Sequence, residues 1–147
     1  MLLLLFCITS AQAVIRIYGL EDFSLGKWVT GSGSIRASSN MCIAVRPRGP
    51  YQITAYGQGP SNAFVLSDAG VHLPFRIFFN DRPRPNGAQE LLAGQTLGGL
   101  RGRRGRGIRR ACNRPTANVS VFISDADLIG LPAGRYRGSI VFVVGPE

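Results

Sequence analysis

Beyond residue 40, apolar and polar side chains alternate with a period of two along most of the chain. Tyr51, Ile53 and Ala55 alternate with Gln52, Thr54 and Tyr56. Val71, Leu73, Phe75, Ile77 and Phe79 alternate with His72, Pro74, Arg76 and Phe78. Val119, Val121 and Ile123 follow the same rule, and so do Tyr136, Ile140, Phe142 and Val144 near the end. A two-residue period turns alternate side chains to opposite faces, so each run predicts a strand with one face on a shared core. Helical periodicity is nearly absent. Arg46–Pro50, Gly57–Pro60, Asn80–Gly87 and Pro132–Gly134 punctuate the runs with turn-forming residues. Short strands at this spacing predict an all-β sandwich or barrel. Pro74 has no N–H to give a ladder, which predicts an edge position or a bulge there.

The last run predicts one strand over Tyr136–Val144, followed only by Gly145-Pro146-Glu147. No later residues remain to pair beside it, so an exposed edge or an open groove is expected. Proteins avoid such edges unless a partner covers them.

The chain has 147 residues, suited to one domain. Met1 to Phe6 are apolar, and Ala11-Gln12-Ala13 has the small-x-small form of a leader cleavage site. Residues 1–13 are therefore expected to be a secretory signal, leaving a domain over 14–147. Export removes Cys7 and leaves Cys42 and Cys112, an even pair expected to be oxidised to a disulfide. Two cysteines with the lone His72 do not complete a structural zinc site, and no cofactor is expected.

Charge changes the picture at one place. The 17 basic residues comprise one Lys and 16 Arg, against eight acids. Arg101, Arg103, Arg104, Arg106, Arg109 and Arg110 sit within ten positions and carry most of the net +9. Residues 98–111 are expected to form a long mobile loop just before Cys112. Clustered arginines suit phosphate and carboxylate ligands, so this loop is a candidate for anionic surface polymers. RGG-type RNA segments usually interleave aromatics, which are missing here, and no specific nucleic acid is expected.

Several segments together resemble the spore coat protein U/Csu-type chaperone–usher pilus subunit family. They are Gly19–Trp28, Cys42 with Tyr51–Gly57, Leu73–Asp81, Cys112, and the ending Leu131–Glu147. The resemblance implies an immunoglobulin-like β-sandwich that lacks its final strand and is completed by a donated one. It also implies a periplasmic chaperone, an outer-membrane usher and sibling pilus subunits as partners, with a role in surface attachment or biofilm formation. β-Augmentation supplies the physics: backbone hydrogen bonds give affinity and alternate side chains fill pockets. Phe75, Ile77, Phe79, Ile140, Phe142 and Val144 are the candidate groove residues. Only Val14–Tyr18 separate the expected cleavage site from the family-like opening. That is short for a donor strand of about five or six residues plus its linker, which suggests a subunit at the fibre tip.

No catalytic residue is expected. His72 falls on the outer face of its strand with no nucleophile or acid beside it in sequence. Asp125 and Asp127 follow a strand and read as a turn. A self-sufficient secreted module that binds through the basic loop remains the alternative to a pilus subunit.

Overall fold

The computed structural model describes residues 13–102 and 112–147. The expected signal sequence, save Ala13, and Arg103, Arg104, Arg106, Arg109 and Arg110 lie outside the described residues. Ten strands form: β1 (Val14–Tyr18), β2 (Ile35–Arg46), β3 (Pro50–Tyr56), β4 (Val65–Asp68) and β5 (Val71–Pro74) come first. They are followed by β6 (Arg76–Asn80), β7 (Gln89–Leu91), β8 (Thr96–Arg101), β9 (Ala117–Ile123) and β10 (Val141–Pro146). Among the described residues one short α-helix, α1 (Asp125–Leu128), separates β9 from the approach to β10. Ser124 caps α1 by accepting the Asp127 N–H, so the two aspartates open a helical turn. No helix among the described residues is long and apolar enough to cross a membrane.

All pairings are antiparallel. A five-stranded sheet runs β1-β2-β9-β6-β7, a three-stranded sheet runs β10-β3-β8, and β4-β5 form a small hairpin sheet. The alternation read from the sequence turns the expected residues inward. Val119, Val121, Ile123, Ile77 and Phe79 from the larger sheet meet Tyr51, Ile53 and Ala55 of β3 in one core. Burial also raises the Tyr51 phenol well above its ordinary pKa, with the Asp81 charge adding to the effect.

Two runs divide where the sequence suggested continuity. The 71–79 run breaks at Pro74 and Phe75. The Phe75 N–H bonds the Phe64 carbonyl, β5 stays with β4, and β6 crosses to the five-stranded sheet. A residue that cannot donate to a ladder is a natural place to change sheets. The expected strand over 136–144 also divides. Arg137 exchanges both backbone bonds with Ser67 of β4, whereas Val141–Pro146 pair with β3. Between them Gly138 is pressed on β4, where an added Cβ would stand 2.5 Å from the Val65 carbonyl oxygen.

Gly98 to Arg101 are not loop, as the Gly/Arg composition suggested, but the last four residues of β8. Tyr51 pairs with Leu100, and Leu100 is buried in the core. One inward leucine outweighs the glycines around it. Both flanks of the arginine-rich segment are held on β2. Gly102 lies against Ile43 and Val45, and Cys112 is bonded to Cys42 with the Cα atoms 5.5 Å apart.

Candidate functional site

Among the described residues the two larger sheets end in four edges: β1 and β7 on the five-stranded sheet, β8 and β10 on the three-stranded one. β1 carries Arg16, β7 carries Glu90 and β8 carries Arg101. Edge charges of this kind oppose unwanted strand pairing. β10 carries none; its sequence is Val-Phe-Val-Val-Gly-Pro, and only Pro146 interrupts its donor row. Val141 and Val143 on its outer face are 57% and 53% exposed. Phe142 and Val144 turn inward and are half-buried against the core. β1 approaches β10 from the opposite sheet.

An open cleft of about 820 Å³ begins beside the first half of β10. One wall is the irregular segment 20–26, with Leu20, Phe23 and Leu25. The other is the approach to β10, with Tyr136, Ile140 and Phe142. Phe75 and Val121 line its depth, so the cleft reaches the core between the sheets. Backbone bonds of Arg137 to Ser67, and of the Arg135 N–H to the Asp68 carboxylate, fix the second wall against the hairpin.

Three of the six residues expected in a groove, Phe75, Ile140 and Phe142, line this cleft. Ile77 and Phe79 do not. β6 lies inside its sheet between β9 and β7, and its inward side chains are only 0% and 1% exposed. Val144 packs on the core farther along β10 and is outside the cleft lining. The segment 20–26 was missed as a wall because it has no strand periodicity. Val14–Tyr18, the short stretch between the expected cleavage site and the family-like opening, pair with Arg46 to Cys42 as β1.

Of the basic cluster only Arg101 is described. It is exposed at the end of β8, and its N–H donates to Asp81. His72 does have a hydroxyl neighbour, since the β4–β5 turn places Ser67 Oγ 2.8 Å from its Nδ1. The pair is exposed, and among the described residues no carboxylate hydrogen-bonds the ring. Asn118, which opens the glycosylation-type triplet Asn118-Val119-Ser120, is buried and donates to Asn40.

The outer face of the five-stranded sheet holds a second ordered array. Pairing aligns Arg36, Phe122 and Arg76 in one row, and Ser38, Ser120, Phe78 and Glu90 in the next. Arg76 binds Glu90 through two 2.7 Å bonds. Those hydrogen bonds hold the Glu90 carboxyl below its usual range.

The architecture is that of an immunoglobulin-like β-sandwich, all antiparallel and nearly all β. It is shared with chains from two solved pilus complexes. One is a chaperone–tip adhesin complex of CFA/I fimbriae biogenesis, with a TM-score of 0.62 and 17% identity over 90% of this chain. The other is a chaperone–tip adhesion subunit pre-assembly complex from archaic chaperone–usher Csu pili of Acinetobacter baumannii, with a TM-score of 0.52, 19% identity and the same coverage. The chain spans 41% and 39% of those chains, and at these identities the likeness is one of fold. No family model matches the chain. No curated protein matches it either.

Proposed function

We propose that this chain is a structural or adhesive subunit of a chaperone–usher type surface pilus, completed by a strand donated by a partner. The observation that carries the reading is the uncharged edge of β10, which among the described residues has no strand beside it, next to a cleft that reaches the core. An extended segment laid there gains backbone bonds from β10. Its alternate side chains reach Phe75, Ile140 and Phe142, the arrangement of β-augmentation. The likeness in fold to chains from pilus assembly complexes supports the same role.

On this reading the chain is exported, meets a periplasmic chaperone that lends the first strand, and exchanges it for a sibling subunit's segment at the outer-membrane usher. The finished subunit acts at the cell surface in attachment or biofilm formation. The arginine-rich segment is then a candidate contact for anionic surface polymers, its described flanks Gly102 and Cys112 being held on β2. The spore coat U resemblance rests on the segments named from the sequence.

The test is periplasmic expression with and without a candidate chaperone–usher chaperone from the same genome, read by size-exclusion chromatography and thermal melting. Recovery only as a one-to-one chaperone complex is expected. Replacing Phe142 with Asp should then abolish complex formation, because a carboxylate would be buried under the donated strand without a partner. A stable oxidised monomer that ignores the chaperone would overturn the reading.

A further inference from the structure

The row of small and aromatic side chains on the outer face of the five-stranded sheet encloses a second hollow, remote from β10. Ser38 and Ser120 form a directly opposed pair, flanked by the much larger Phe78, Phe122 and Arg36. The low centre and tall surround leave a depression of about 470 Å³, closed on one side by residues 85–88. That volume is within the ~300–1,000 Å³ typical of small-ligand sites. The rim is a built one: buried Asn80 donates to the carbonyls of Arg84 and Asn86 and accepts the Arg82 N–H. Asn86 therefore stands at the edge of the hollow in a loop held from beneath.

The charges around it are not equivalent. Arg76 is neutralised by Glu90. Arg36 lies 4.3 Å over the Phe122 ring, and among the described residues no carboxylate pairs with it. A single planar guanidinium fork matches a carboxylate in two-bond geometry. Phe78 and Phe122, partly overlain by Arg76 and Arg36, leave apolar ring edges for the C–H groups of a puckered sugar ring. Ser120 donates its own proton to Asn118 and can only accept, whereas Ser38 and Asn86 offer both donors and acceptors for hydroxyls.

We propose that this hollow binds a carboxylate-bearing sugar, a uronic acid unit of a surface polysaccharide, with Arg36, stacked on Phe122, on the carboxylate and the sugar ring against the edge of Phe78. The proposal does not depend on strand donation, since it uses the face of the sheet rather than the cleft.

The experiment is isothermal calorimetry at physiological ionic strength on the full oxidised chain, alone or with its strand donor as isolated. Trigalacturonate is the probe and maltotriose its neutral counterpart. Arg36→Met removes the fork, Ser38→Phe fills the hollow, and Arg48→Met removes an exposed charge at the β2–β3 turn. Loss of a charged hydrogen bond predicts weakening of about tenfold to a hundredfold for Arg36→Met, and a similar deficit for maltotriose. Ser38→Phe should abolish binding, and Arg48→Met should leave it unchanged. The proposal is overturned if no binding heat is measured, if maltotriose binds as well, or if Arg36→Met and Ser38→Phe bind like the wild type. Equal weakening by Arg48→Met would assign the binding to net charge and overturn it as well. Donor-strand capture, measured on the same variants, is expected to be unchanged, so failure of either reading leaves the other standing.

Discussion

Replacing Cys42 and Cys112 together by alanine tests how far one covalent link holds the sandwich. The bond joins residues 70 apart in sequence. Opening a loop of that length releases chain entropy in the unfolded state worth about 4 kcal/mol. A domain of this size is typically stable by only about 5–15 kcal/mol, so the loss is a large share of the total. Alanine is preferred to serine at Cys42, which is 4% exposed, because a hydroxyl there would need a partner. With a urea dependence of about 2 kcal/mol/M, the unfolding midpoint should fall by roughly 2 M. Equilibrium urea unfolding followed by far-UV circular dichroism reads this directly, and reduction of the wild type should reproduce the shift. Loss of less than about 1 kcal/mol would refute the reasoning. It would mean that the unfolded chain already keeps these two regions together, so that closing the loop removes little entropy.

Three further outcomes follow from single contacts. Thr116→Val removes the buried hydroxyl that accepts the Ile43 N–H at 2.9 Å. The stranded donor should cost about 1–3 kcal/mol in urea unfolding, and an unchanged midpoint would contradict it. Asn80→Ala frees the 82–86 turn that its side chain holds by three hydrogen bonds. Amide exchange at Asn86–Ala88 should accelerate while β9 stays protected; equal protection in both would count against the anchoring role. Glu90 has its folded pKa lowered by hydrogen bonding to Arg76, so its contribution is present above the unfolded value of about 4.3 and is lost as pH falls through the folded one. The melting difference between the wild type and Glu90→Gln should therefore be present at neutral pH and vanish in acid. A difference that persists unchanged at low pH would refute it.

The strand-forming character of the chain was legible in its sequence, because a two-residue period is a local property of each segment. Tyr51–Ala55, Ile77–Phe79 and Val119–Ile123 could be assigned inward faces without knowing their neighbours. The bridge between Cys42 and Cys112 was legible for a different reason: only one pairing remains once Cys7 is assigned to the expected signal sequence. Tertiary structure alone decided what those faces meet. Pro74 announced an interruption, but only the pairing partners show that β5 and β6 belong to different sheets. Leu100 turned a glycine-rich segment into β8 because β3 was there to receive it. The cleft needed the irregular segment 20–26 as one wall, and irregular backbone leaves no periodic trace in the sequence. The Arg36–Phe122–Arg76 row is invisible in sequence for a related reason. Its members are scattered over 87 positions and become neighbours only when β2, β9 and β6 fall into register. Periodicity is a property of one strand; sites made between strands exist only after long-range pairing has chosen the register.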